Sequence, residues 1–199
     1  MGRVKAEESG RLVVLGVDPG FAKIGFAVVS GTRRGDYWVE QGGIITTEKL
    51  AKKKRCGLRV TNEDVMRHKK IWAALEEVRR EHDVYAVGTE AYVVDGRGGR
   101  GKNSAAKTLG VYGGILWWSF CGGFHVAPFI PQDLKRRFCG SQSGTKEQVI
   151  KSIAKLVKRF DEERIKICAS DQEHFSDAVG VAVLMLEDVF EMRKQLGVR

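Results

Sequence analysis

Asp18 and Glu90 each close an apolar run, "LVVLGVD" (12–18) in one case and "VYAVGTE" (84–90) in the other. A β-strand of that composition belongs in a core, where a carboxylate is costly unless something pairs with it. Further along, "SDQEHFSDAVGVAV" (170–183) supplies Asp171, Glu173, His174 and Asp177. Positions i and i+3 share a helix face, so His174 and Asp177 can reach one ion from one short element. Asp171 and Glu173 lie close enough to compete for that role. Pooled carboxylates repel one another, and a divalent cation relieves the repulsion. Oxygen-rich sites with one imidazole suit Mg²⁺ or Mn²⁺, the softer imidazole favouring Mn²⁺. Two such ions about 3.5–4 Å apart would clamp the attacking and leaving oxygens of a phosphodiester. Each residue also has a plainer explanation: Asp18 opens an Asp-Pro-Gly turn, Glu90 is a strand-end charge, and Asp177 is an acid favoured by a helix N-terminus. Taken together, on a basic chain, the set argues for metal-assisted hydrolysis.

Bringing these groups together requires two parallel neighbouring strands with Asp18 and Glu90 at their carboxyl ends, where α/β proteins place their sites. Residues 11–18 and 24–30 read as apolar strands joined by the Asp-Pro-Gly turn, and "DYWVEQGGIITT" (36–47) as a third, an antiparallel meander. "NEDVMRHKKIWAALEEVRREH" (62–82) places Val65, Ile71, Trp72, Leu75 and Val78 near helical spacing, with Asn62 as N-cap. The strand ending in Glu90 follows. "SAAKTLGVYGGILWWSF" (104–120) reads as a helix in spite of Gly110, Gly113 and Gly114, each costing about 1 kcal/mol against alanine. Close packing against another backbone is the expected reason for them. "GFHVAPFI" (123–130) is a further strand, and Pro131 opens a short helix. "GTKEQVIKSIAKLVKRF" (144–160) and "SDAVGVAVLMLEDVFEMRKQL" (176–196) close the chain as helices. The order β-β-β-α-β-α-β-α-α describes an α/β protein, a mixed five-stranded sheet flanked by helices.

With 199 residues the chain can bury one sizeable core; it reads as a single domain over 11–199 behind an N-terminal extension, 1–10. Its 43% hydrophobic and 30% charged content is that of an ordinary globular protein. The formal net charge of +9 calls for an anionic partner, nucleic acid before an anionic membrane surface. No run approaches the roughly 20 apolar residues that span a bilayer. "MGRVKAEESG" lacks an apolar signal region, and Ala6 stands where a myristoylation motif needs Ser or Thr. The expectation is a cytoplasmic protein with no membrane partner. Cys56, Cys121, Cys139 and Cys168 form no CxxC pair, which argues against zinc and for reduced thiols used in packing. Lys52, Lys53, Lys54 and Arg55 form one basic block. Arg97, Arg100, Lys102 and Lys107 form another around the glycine-rich "DGRGGRGKN" (95–103), where backbone and arginines can approach phosphates closely. Charge runs are ordinarily just solvated faces. Trp117 and Trp118 read as core or interface residues rather than base-stacking platforms.

At this point the motifs carry a resemblance. "LGVDPGFAKIGFAVV", "VGTEAYVV", "NSAAKTLGVYGGIL", "QDLKRRFCGSQSGTKEQV" and "HFSDAVGVAV", in that order from Leu12 to Leu186, resemble the RuvC family of Holliday-junction resolvases within the RNase H-like nuclease superfamily. The resemblance implies an RNase H-like fold and a homodimer that cuts four-way junctions symmetrically with two Mg²⁺ ions per site, or with Mn²⁺. It gives metal-binding, catalytic roles to Asp18, Glu90 and Asp177, and to His174, which stands where many members have aspartate and some have histidine. Lys135 and Lys146 match lysines that lie near the scissile phosphate. Tyr92 is the nearest counterpart of an aromatic that the family inserts into the junction, though about one position off. The "NSAAKTLGVYGGIL" helix matches the family's dimer interface.

Three other readings stand beside this one. The same fold could serve a flap or other branched-DNA nuclease of viral or prophage type. An actin-like or sugar-kinase-like phosphate-binding protein also has an Asp-x-Gly turn, but repeats it in two lobes, and no second such strand pair occurs here. A non-catalytic DNA-binding module would explain the charge and leave the acids idle. The sequence carries no signal for a branch-migration partner.

Overall fold

The computed structural model describes residues 10–47, 60–91 and 102–198. Strands β1 (Arg11–Asp18), β2 (Lys23–Thr32) and β3 (Tyr37–Thr46) form the antiparallel meander. Helix α1 (Val60–His82) leads to β4 (Ala86–Glu90), and α2 (Lys102–Cys121) leads to β5 (His125–Phe129). Helices α3 (Pro131–Cys139) and α4 (Lys146–Leu156), a short strand β6 (Val157–Lys158), α5 (Phe160–Arg164) and the long α6 (Gln172–Gln195) complete the chain. The sheet order is β5-β4-β1-β2-β3-β6, with β4 parallel to both β1 and β5.

The sheet is therefore six-stranded, not five-stranded. The helix expected over 144–160 stops at Leu156, where Val157 turns extended and pairs with Tyr37 on the edge of β3. A β-branched residue fits that ladder better than a helix terminus, and the short strand covers an edge that would otherwise be open. Helix α1 begins at Val60, so Asn62 lies within it rather than at its cap. The glycines of α2 also differ from expectation. A Cβ at Gly114 would lie 2.3 Å from the Trp72 ring, a side chain rather than a backbone, and one at Gly113 would meet nothing within 4 Å. Cys121 and Cys168 are exposed, so they are not packing residues. Among the described residues no helix is long and apolar enough to cross a membrane.

The two-residue period of a strand sorts the core into two layers. Leu12, Val14, Ala27, Val29 and Ala86 pack beneath α6, whereas Leu15, Val17, Val28 and Val87 face α1 and α2 through Ile71, Leu75, Val111 and Ile115. Helix α6 runs across β1, β2 and β4 in direct contact with their backbones. It can do so because a glycine stands at each crossing. A Cβ on Gly16 would be 2.0 Å from the Ala178 carbonyl oxygen, and one on Gly25 would be 2.1 Å from that of His174. Backbone cannot yield to such a clash as a flexible side chain can. Gly16→Ala is therefore expected to lift α6 from the sheet and cost about 2–3 kcal/mol, lowering the melting temperature by roughly 4–12 °C for a chain of this size. Thermal unfolding of the purified variant checks this, and an unchanged midpoint would contradict the close approach.

Candidate active site

The same period carries the two strand-end acids to one face. Counting from Gly16 and Gly88, which both lie against α6, Asp18 and Glu90 are two residues on and so point to the α6 side. The parallel register of β1 and β4 sets Val17 against Thr89, leaving Asp18 and Glu90 side by side at the carboxyl ends. Asp177, in the second turn of α6, joins them from above. One carboxylate oxygen from each of the three lies within 4.8 Å of the others, and all three residues are half-buried.

Their electrostatics follow from that crowding. Burial, with the charges of Asp18 and Asp177 adding to it, pushes the Glu90 carboxyl up to about 8. Burial and the Asp18 charge push Asp177 up to about 7. Oxygen donors that hold protons near neutrality because burial and their like charges outweigh the cations nearby are a donor set suited to a hard divalent cation. The residues present thus fit such an ion.

His174 and Lys146 bring positive charge to the acids, and Lys23 engages a neighbouring one. His174 makes a 2.6 Å Nδ1···Oδ2 contact with Asp18, and this hydrogen bond raises its pKa. It stands outside the group of three and touches it through Asp18. Lys23 pairs with Asp171 at 2.5 Å, and Lys146 pairs with Glu173. The two acids that competed with His174 for ligation are thus engaged by lysines. Lys146 is the first residue of α4, where Thr145 caps the helix by accepting from Gln148 N–H while Gln148 Oε1 accepts from Thr145 N–H. That reciprocal cap holds Lys146 where Glu173, then Asp177 and Glu90, keep its pKa raised. Lys135 and Lys146 line a cleft of about 180 Å³ together with Glu90 and Asp177, with Leu134 and Val149 on its apolar side.

Lys107 does not join this group. It pairs with Asp64 of α1 at 2.8 Å and sits over the Phe21 ring, so its charge is used within the fold. Tyr92, Arg97, Arg100 and the 52–55 block lie outside the described residues, as does the side chain of Lys102. The pairs Lys23–Asp171 and Lys146–Glu173 were not foreseen, since each joins distant segments. One signal for the acids did stand in the sequence: glycine two residues before each, in "GVD" and "GTE", marks a strand crossed by a helix just short of a carboxylate.

Comparison with known proteins agrees with this geometry. The sequence profile of the crossover junction endodeoxyribonuclease RuvC family matches residues 14–185. The chain is 30% identical over 178 residues to that enzyme from Chlorobium phaeovibrioides, covering 86% of this chain and 79% of the relative. It is 26% identical over 171 residues to the one from Pseudomonas entomophila, covering 86% and 84%. Among solved structures, T. thermophilus RuvC in complex with a Holliday junction substrate superposes with a TM-score of 0.67 at 21% identity, over 94% of this chain and 97% of that one. The yeast mitochondrial Holliday junction resolvase Ydc2 has the same fold, with a TM-score of 0.59 at 9% identity over 92% and 83%.

The raised carboxyls have a thermodynamic consequence. A Glu90 held at about 8 in the fold, against an ordinary 4.5, takes up a proton on folding between those two pH values. Its contribution to stability is complete below pH about 4.5 and is lost as pH rises through about 8. Glu90→Gln is expected to raise the melting temperature of the metal-free protein at pH about 8 by roughly 4–8 °C, on the order of 2 kcal/mol. Added Mg²⁺ or Mn²⁺ must displace the protons on Glu90 and Asp177, so its affinity is expected to climb between pH about 6 and 8.5. Melting curves and metal titrations at stepped pH check both statements; a pH-independent metal affinity would contradict the second.

Proposed function

The chain belongs to the RuvC family of crossover junction endodeoxyribonucleases, and from that premise we propose how its own residues carry out the reaction and in what assembly. It is a divalent-metal-dependent nuclease that resolves Holliday junctions, acting on branched DNA. We place its work in the cytoplasm. The observation that carries the proposal is the convergence of Asp18, Glu90 and Asp177 from three elements, with Lys135 and Lys146 in the adjoining cleft.

In this reading Asp18, Glu90 and Asp177 hold two Mg²⁺ or Mn²⁺ ions, with His174 as a further ligand through its neutral imidazole. When bound, the ions activate water and offset the negative charge that grows on the phosphate. Glu90 and Asp177 give up their protons to enter that state, so the site is empty of both proton and metal only at an electrostatic cost. Lys146 begins paired with Glu173 and has the reach and charge to meet a phosphate oxygen once DNA lies in the cleft. Lys135, which lines the same cleft, steadies the neighbouring backbone. Phosphate contacts of this kind position DNA without reading its sequence.

Two symmetric incisions about a branch point require two sites related by a twofold axis. On α2, Leu109, Trp117 and Phe120 are exposed, Trp117 and Phe120 at 67% and 71%, and their rings stack on one another at 5.9 Å. With Gly113 between them they form one apolar stripe, opposite the buried Val111, Ile115 and Ser119. Large aromatics beside a glycine suit close approach of a second copy, and we assign the homodimer to this face. The flap-nuclease alternative uses the same site without needing the stripe.

Asp18→Asn and Glu90→Gln keep shape and remove charge. Each is expected to lower junction cleavage by at least about 10²–10³-fold while binding of the four-way junction stays at or above wild-type level, read by gel cleavage and fluorescence anisotropy. Near wild-type cutting by either would refute the metal-site reading. Gly113→Leu has open space within its own protomer, so the fold should tolerate it. It is expected to shift the sedimentation of a dimer to that of a monomer, sparing nicking and abolishing paired incision. A wild-type protein that sediments as a monomer even on a four-way junction would favour the flap-nuclease alternative.

A further inference from the structure

Arg67 of α1 is only 6% exposed, yet it contacts neither the acids nor the cleft described above. Among the described residues its hydrogen bonds go to the connections at the end of the meander. Nε donates to Thr47 Oγ1 at 3.0 Å, and Nη2 donates to the carbonyls of Phe21 at 3.1 Å and Thr47 at 2.9 Å. Its guanidinium lies 3.9 Å over the centre of the Phe21 ring. Thr47 Oγ1 in turn donates to the Phe21 carbonyl at 2.5 Å. The far side of the cluster is tied down as well: Lys107 also faces the Phe21 ring, held by Asp64, and His68 packs against it at 5.3 Å.

The place matters because of what it grips. The β1–β2 ladder ends at the pair Asp18–Gly25, so Pro19 to Ala22 have no strand partner. The turn is anchored by the buried Phe21 ring, and its backbone is held by the Thr47 N–H bond to the Ala22 carbonyl and by the hydrogen bonds from Arg67 and Thr47. Asp18 sits three residues before Phe21, pressed towards Glu90 and Asp177 against their charge. A turn free to shift would relax that repulsion by moving Asp18 outward. Lysine could not replace the guanidinium here, since a point charge can neither fork to two carbonyls and a hydroxyl nor stack flat on a ring.

We propose that Arg67 is a positioning residue for the metal-holding acids: by fixing the backbone of the turn at Phe21 and Thr47 it sets the reach of Asp18 towards Glu90 and Asp177. This rests on the reading of Asp18 as a metal-holding carboxylate. Residues that orient metal ligands alter affinity by about 10–100-fold when removed. Arg67→Lys is therefore expected to weaken Mn²⁺ binding to the DNA-free protein by about tenfold or more, measured by calorimetry. Single-turnover junction cleavage should fall with it, while the junction dissociation constant stays within about twofold. Thr47→Val should do the same to a smaller extent, and Thr47→Ser, which keeps the hydroxyl, should restore the wild-type value. Val78→Ala, a core change about three turns further along the same helix, serves as the stability control. The proposal is overturned if Arg67→Lys binds Mn²⁺ like wild type, or if Val78→Ala reproduces the loss at an equal melting temperature. Should Arg67→Lys fail to fold, equal Mn²⁺ affinities for Thr47→Val and Thr47→Ser overturn it instead. A wild-type protein that binds no Mn²⁺ would sink the metal site and this inference together, and is recognised by that sign alone.

Discussion

Three carboxylates with oxygens inside 4.8 Å repel one another by something on the order of 3 kcal/mol per ionised pair at an effective dielectric of about 20. Nothing in a hydrophobic core would gather them, so every element that meets at this point has to be held there by contacts made elsewhere. The sheet fixes Asp18 beside Glu90 through the β1–β4 register. The bed of α6 fixes Asp177 above them through one layer of buried, mainly aliphatic contacts. The repulsion is balanced locally in two ways: protons stay on Glu90 and Asp177 up to about 8 and 7, and His174 and Lys146 bring positive charge beside them. Both are stand-ins for the charge that a divalent ion brings.

The cationic groups have their own logic. Lys23, Lys146 and His174 come from β2, α4 and α6, and each is engaged by an acid of the α6 region or of β1. These pairs are partly exposed, so their contribution to stability is small. Their value lies in geometry. They fix these side chains in defined places in the metal-free protein. Lys107 follows the opposite course. Its position near the glycine-rich segment suggested a phosphate contact, and in the DNA-free fold it pairs with Asp64 over Phe21, away from the acids.

That frame joins both sides of the sheet to the same turn. On the α6 side, glycine crossings bring the helix down onto β1 and β2. On the α1 and α2 side, Phe21 is packed against Arg67, His68 and Lys107. Since α2 also carries the exposed Leu109, Trp117 and Phe120 stripe, the face assigned to the second copy and the turn that follows Asp18 share one packed layer. The stripe and the site are thus built on a common support.

How much of this was legible in the sequence follows from the range of the interactions. Strand-end acids, the two-residue period, the Asp-Pro-Gly turn and the apolar period of α6 are local features, and they were enough to name Asp18, Glu90 and Asp177 and an α/β sheet. The end of α4 at Leu156 was not legible, because the edge of β3 that captures Val157 lies more than a hundred residues upstream. The partners of Lys23, Lys107 and Lys146 were equally out of reach: a lysine's charge is written in the chain, but which acid it meets depends on how the helices are laid on the sheet. His174 marks the boundary most clearly. Its spacing from Asp177 placed both on one helix face, which the sequence alone determined. Only the crossing of α6 over Gly25 decided that its imidazole would meet Asp18, because close backbone contact sets the height of the helix and that height sets which side chain reaches which acid.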